Sequence, residues 1–195
     1  MSVPTEHHRQ SAEVRIAVIS GSVRKERMAP TIARWVVAAI DDAAVDLIDL
    51  AEVTLPDDSL LWPGGGPRSE VADRIAAADG FVFVTPEYNH SYPAALKRLI
   101  DWHYGEWRFK PATVVAYGVQ GGYAAIEHLR GVLAELGVVT TRRATGLRTP
   151  WQFLDDRDRY TPEPELTQGL TASLAELRWW ADLLAEARRD RPLPA

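Results

Sequence analysis

Short apolar runs alternate along the chain with segments whose apolar residues recur every three to four positions. That alternation predicts a parallel sheet built from strand–helix–strand units. Val14 to Ser20 reads as the first strand. Ala29, Ile32, Ala33, Val36, Val37 and Ile40 then follow helical spacing. Val45 to Leu50 reads as a short second strand, and Arg68 to Asp79 as a helix with Val71, Ile75 and Ala78 on one side. Phe81 to Thr85 is apolar throughout, which predicts a central strand covered on both faces. Pro93 to His103 predicts the next helix, with Pro93 suited to its first turn and Leu96, Leu99 and Ile100 inward. A fourth strand is expected over Thr113 to Tyr117, a helix over Tyr123 to Leu136 ended by Gly137, and a fifth strand over Val138 to Arg142. A long loop leads to a last helix from about Glu163 to Arg188, with Leu166, Leu170, Leu174, Leu177, Ala181 and Leu184 as its buried stripe.

Five strands with intervening helices make a three-layer α/β sandwich, and right-handed crossovers are nearly obligatory in it. Two strand orders are common for such doubly wound sheets, and periodicity does not choose between them. The chain has 195 residues, enough for one domain with a substantial core. We expect that domain to span residues 13–190, after a polar, disordered tail over 1–12. The tail carries no apolar segment of the signal-peptide kind, and no stretch approaches the ~20 apolar residues of a membrane span. A net charge of -5 gives no general attraction to nucleic acid or acidic membranes. Cysteine is absent, which excludes disulfides and thiolate metal sites and fits a cytoplasmic protein.

In open α/β sheets ligands bind beyond the carboxyl ends of the strands. Three loops lie there. The first, Ser20 to Met28, offers hydroxyls, backbone N–H groups, a helix amino terminus and the cations Arg24 and Arg27, a combination suited to phosphate. It contains neither the G-x-G-x-x-G dinucleotide pattern nor the Walker sequence. The second, Pro86 to Pro93, is stiffened by two prolines and rich in groups that hydrogen-bond a polar ring; it includes Glu87, Tyr88, Asn89 and Ser91. The third carries Gly118, Gly121 and Gly122, which allow close backbone approach to a planar ligand.

The segments GSVRKERMAPTIARW, TPEYNHSYPAALKRLIDW and KPATVVAYGVQGGYAAIEHLR fill these three loops in order. Together they resemble the NADPH-dependent FMN reductase family, the flavodoxin-like quinone, chromate and azo reductases. The resemblance covers roughly Val14 to Trp180, and the PEYN-x-S-x-P-x-x-LK run is its most specific part. It implies a flavodoxin-like fold of strand order 2-1-3-4-5, bound FMN, and NADPH or NADH as co-substrate. It implies that Ser20, Ser22 and Arg24 grip the phosphate. Pro86, Glu87, Tyr88 and Asn89, with Ser91, would contact the ribityl chain and ring edge, and Gly118, Gly121 and Gly122 would lie beside the ring. The acceptor would be a small molecule such as a quinone, free flavin, azo compound or metal oxyanion. The family pattern also implies a homodimer or homotetramer, for which Leu96, Leu99, Trp102 and the 122–130 region are the expected contacts. Two departures stand out. Arg27 to Pro30 occupy a stretch where many relatives carry serine and asparagine, so Arg27 would replace a hydroxyl by a charge. Arg98 stands where many relatives have asparagine.

Other residues have structural readings. Trp35, Trp102, Trp179 and Trp180 fall on helices and are expected to pack in the core or at a subunit contact. Trp62 lies in a Pro/Gly-rich segment that reads equally as a lid or a plain loop. His7, His8, His103 and His128 are read as ordinary histidines, and Asp155 to Arg159 as a solvated loop. No catalytic side chain is assigned. The rival classes are a flavodoxin-like electron carrier and a scaffold that binds flavin without turnover.

Overall fold

A computed structural model describes residues 13–191. The tail expected over 1–12, with His7 and His8, lies outside the described residues. The strands are β1 (Arg15–Ser20), β2 (Ala44–Asp49), β3 (Gly80–Pro86), β4 (Pro111–Gly118), β5 (Val139–Thr140) and β6 (Thr145–Arg148). The helices are α1 (Ala29–Ala38), α2 (Ala72–Ala77), α3 (Ala94–Trp102), α4 (Tyr123–Glu135) and α5 (Pro164–Asp190). All strand pairs are parallel, in the order β2-β1-β3-β4-β5, with β6 also on β4.

Alternation along each strand sorts side chains between two cores. Ala17 and Ile19 of β1, Phe81 and Phe83 of β3, and Val114 and Ala116 of β4 pack under α2, α3 and α4. Ile16 and Val18, Val82 and Val84, and Val115 and Tyr117 pack under α1 and α5. Every residue of β3 is buried, as expected of a central parallel strand. The α5 stripe is borne out at Leu170, Leu174, Leu177 and Ala181, which are buried, with Leu166 packed against them. Among the described residues no helix is long and apolar enough to cross a membrane.

The fifth strand differs from expectation. It pairs with β4 over only two residues, leaves at 141–144, and returns as β6, which was expected to be loop. Thr113 faces the gap. Its hydroxyl lies 2.9 Å from that of Thr141, and the Arg143 carbonyl lies 2.7 Å from Thr141 Oγ1 and 3.3 Å from Thr113 Oγ1. These side-chain groups stand in for the missing ladder bonds. Helix α2 is also shorter than expected. Ser69 delays its start, its Oγ accepting from the Val71 N–H at 3.3 Å.

The expected subunit contacts need correction. Leu96 and Leu99 are fully enclosed, and Trp102 is 2% exposed with its Nε1–H donating to the Pro67 carbonyl at 2.8 Å. They are core residues of the single chain. In the 122–130 region Tyr123 is exposed, while Ile126 and Leu129 point inward. Trp35 packs edge-on against Tyr160, and Trp179 is exposed on α5.

His103 is buried, with Nδ1 2.8 Å from the Leu99 carbonyl and Nε2 2.7 Å from Ser69 Oγ. The carbonyl only accepts, so Nδ1 carries the hydrogen and Ser69 donates to Nε2. Burial holds the His103 pKa below its ordinary 6.5, outweighing the Leu99 bond and Glu106. The unfolded chain therefore takes up this proton before the folded one does. His103 costs no stability above pH ~6.5 and costs progressively more as pH falls below it. Urea unfolding from pH 7.5 to 5 should show a steeper loss of stability in the wild type than in His103→Gln. Equal slopes would contradict this assignment.

Candidate active site

The first loop leaves β1 at Ser20 and enters α1 at Ala29. The Gly21 N–H donates to the Val84 carbonyl at 2.8 Å, tying the loop to β3. Among the described residues, the backbone N–H groups of Ser22 to Met28 have no protein acceptor, apart from that of Arg27, which closes a turn over Lys25 and Glu26. They precede the positive end of α1, which has Pro30 in its first turn. That is an anion-binding arrangement. Arg24 is exposed and has no carboxylate partner among the described residues, while Arg27 pairs with Asp49 at 2.7 Å. Two buried polar atoms of this segment have no partner: Ser20 Oγ and Arg27 Nε. Alternation along β1 turns Ser20 toward the α1 layer, under this loop.

The second loop is a tight hairpin. Tyr88 N–H donates to the Ser91 carbonyl at 2.7 Å and Ser91 N–H to that of Tyr88 at 3.0 Å. Its corner residues Asn89 and His90 both have positive φ, 49° and 64°, the geometry of a two-residue hairpin turn. Asparagine tolerates that conformation, so Asn89 has a backbone reason to be here. Glu87 is fixed from both sides. Its N–H donates to the Tyr117 carbonyl at 2.8 Å, and its Oε2 accepts from the Ala124 N–H at 3.1 Å, in the first turn of α4. A carboxylate suits that helix end.

In the third loop Gly121 and Gly122 have φ of 86° and 78°. A Cβ at Gly122 would lie 2.6 Å from both Ala116 Cβ and Tyr117 N, so glycine is required for the chain to turn back onto β4. Gly118 accepts the Thr149 N–H at 2.9 Å, which brings the segment after β6 beside it.

The loops frame a cleft of about 290 Å³. Of the residues expected to bind cofactor, Ser22, Arg24, Arg27, Pro86, Glu87, Tyr88 and Gly118 line it. Ser20, Asn89, Ser91, Gly121 and Gly122 do not; Ser20 ends β1, and the others belong to the second- and third-loop turns. Tyr117 and Trp151 also line it and went unread in the sequence. Tyr117 reads as one more strand residue, and Trp151 follows the unforeseen β6. Burial raises the Tyr117 phenol well above its ordinary pKa, so it stays protonated. The Trp62 segment is a separate hairpin, and Trp62 does not line the cleft.

A larger groove of about 730 Å³ lies at the opposite, amino edge of the sheet, against α2 and α5. Its cations are already engaged. Lys110, whose pKa burial lowers to about 8, donates to the Ile75 and Ala76 carbonyls, and Arg188 pairs with Asp79 at 2.9 Å. Among the described residues, the carboxyl-edge cleft offers donors without a protein partner.

A five-position parallel sheet of this order, with its cleft at the carboxyl ends of β1, β3 and β4, defines a flavodoxin-like α/β protein. A solved flavoenzyme NAD(P)H:(acceptor) oxidoreductase from Paracoccus denitrificans shares the fold, with a TM-score of 0.71 at 24% identity, covering 87% of this chain and 98% of that one. An NAD(P)H-dependent FMN reductase of Saccharomyces cerevisiae is 38% identical over 140 residues, 62% of this chain and 73% of that protein. A 2-hydroxy-1,4-benzoquinone reductase of Burkholderia sp is 35% identical over 136 residues, 65% of this chain and 73% of that protein. Residues 14–151 match the family described as NADPH-dependent FMN reductase, and the chain belongs to that family of oxidoreductases.

Proposed function

We propose that residues 13–190 act as one FMN-binding unit that passes electrons from NADH or NADPH to a small acceptor such as a quinone, free flavin, azo compound or metal oxyanion. The observation that carries this reading is the donor-rich first loop. Its free N–H groups, Arg24 and the orphaned Ser20 Oγ and Arg27 Nε fit a phosphate monoester. Family membership favours a reductase over an electron carrier or scaffold.

FMN, when bound, would supply the redox chemistry that couples a nicotinamide to the acceptor. The protein's part is to hold and shape. Ser22, Arg24, Arg27 and the backbone N–H groups of the first loop would hold the phosphate, with Ser20 behind them. The Pro86–Ser91 hairpin would present backbone groups and Tyr88 to the ring edge. Gly118 would let the chain pass close beside the ring, with Gly121 and Gly122 turning the chain. Exposed Val119, Tyr123 and Trp151 give the mouth an apolar surface for planar substrates. No side chain of the cleft is assigned to proton transfer.

A homodimer or homotetramer in the cytoplasm belongs to the same proposal. The exposed apolar residues Trp62, Val119, Tyr123 and Trp151 are surface it could use. A monomer mass by light scattering across micromolar concentrations would contradict the assembly.

Titration of the flavin-free chain should give about one FMN per chain, bound far more tightly than FAD. Arg24→Ala should weaken FMN by roughly 1.5–3 kcal/mol, the scale of a hydrogen bond to a charged group. Folding should be unaffected, because Arg24 is exposed. Equal affinity for FAD and FMN would count against the site. An unchanged FMN dissociation constant would remove Arg24 from it.

A further inference from the structure

Tyr88 bridges the two loops that face each other across the cleft. Its hydroxyl lies 3.1 Å from Ser22 Oγ, and the Arg24 guanidinium stands 5.4 Å from its ring centroid. One side chain therefore touches both the cleft-lining hydroxyl and the exposed Arg24 guanidinium of the first loop. Tyr88 is itself anchored, because both of its backbone hydrogen-bonding groups are used in the Tyr88–Ser91 hairpin.

We propose that Tyr88 is a positioning residue for phosphate, aiming Ser22 and Arg24 and so setting the preference for FMN over riboflavin. This rests on the FMN reading above. Ser22 is fully buried and has one hydrogen to give. Phosphate oxygens accept hydrogen bonds. For Ser22 to donate to them, its contact with Tyr88 must run the other way, with the Tyr88 O–H donating to Ser22 Oγ. That direction leaves the Ser22 hydrogen free for the ligand and polarises it. The ring of Tyr88 holds the guanidinium by a cation–π contact, which limits the freedom Arg24 must lose on binding.

The test is a double-mutant cycle read by equilibrium binding, using the full-length chain freed of flavin. FMN and riboflavin are titrated by fluorescence into the wild type, Tyr88→Phe, Ser22→Ala and the double variant. Tyr88→Phe should weaken FMN about five- to tenfold and leave riboflavin within about twofold. The double variant should bind FMN no more weakly than Ser22→Ala alone, since Tyr88 acts through Ser22. Tyr88→Leu, which also loses the contact with Arg24, should cost more FMN affinity than Tyr88→Phe, and should weaken FMN by a larger factor than riboflavin. Equal losses for both ligands in Tyr88→Phe would reduce Tyr88 to a structural role and overturn the proposal. Additive losses in the double variant would overturn it too. A wild type with no preference for FMN over riboflavin would instead overturn the phosphate-site reading on which the proposal stands.

Discussion

Gly122→Ala should lose about 3 kcal/mol of stability and most of its flavin. Gly122 sits at φ 78°, where an L residue costs about 1–2 kcal/mol. The added methyl would also fall 2.6 Å from Tyr117 N and 2.7 Å from Ala116 C. Those atoms belong to β4, which is paired on both sides and cannot retreat without distorting the sheet. Overpacking of that kind costs about 1–3 kcal/mol more. The strand leads directly to Tyr117 and Gly118 in the cleft, so the distortion reaches the site. Gly131 is the control. It lies within α4, and a Cβ there meets nothing within 4 Å. Gly131→Ala should therefore be neutral or stabilise by up to about 1 kcal/mol. Urea unfolding of both variants checks the pair. A Gly122→Ala protein within 1 kcal/mol of wild type, on the order of an ordinary surface change, would show that the turn is not constrained as described.

Trp107→Ala should be at least as damaging, about 3–5 kcal/mol, the range for removing a large aromatic from a core. Trp107 is fully enclosed and stands edge-on to Phe81 at 4.8 Å between centroids, with Phe83 at 5.9 Å and His103 at 6.0 Å. Its Nε1–H donates to the Ile100 carbonyl at 3.2 Å, tying the loop after α3 back to that helix. Truncation would open a cavity against β3, which carries the Glu87–Tyr88 hairpin at its end. Flavin affinity should fall along with stability. A loss under about 1.5 kcal/mol would mean that the site collapses to fill the space.

The parts of the fold legible in the sequence are those where burial alone decides residue type. The all-apolar run of β3 and the seven-residue rhythm of leucines on α5 are of this kind. Strand order was not legible from periodicity, because either doubly wound order buries the same residues; the three loop motifs supplied it. The split between β5 and β6 left no signal, since it depends on how the Thr113 and Thr141 hydroxyls face each other across the sheet. Gly146 hid β6 further: glycine reads as loop, whereas here it lets Gly121 approach, with a Cβ reaching 2.7 Å from the Gly121 carbonyl oxygen. Leu96, Leu99 and Trp102 misled for the opposite reason. Large apolar residues on a helix suit an interface and a core alike; burial of Leu96 and Leu99 against the sheet, and of the Trp102 indole against Gly66, shows which. At the site, the residue types pointed to a phosphate-binding cleft, but some of the pattern is conformational. Asn89, Gly121 and Gly122 hold turns, while Trp151 entered the cleft from a segment expected to be loop.

The most direct test of the central claim is anaerobic mixing of the FMN-loaded protein with NADPH and, separately, with NADH. The visible flavin absorbance should bleach in a single two-electron step with at least one of them. Adding a quinone should restore the colour, and steady-state plots should be parallel lines, because one open face serves both substrates in turn. An electron carrier would accept single electrons from dithionite yet fail to bleach with a nicotinamide, and a scaffold would bind flavin and do neither. Absence of bleaching with both NADPH and NADH would contradict the reductase reading and leave the fold untouched.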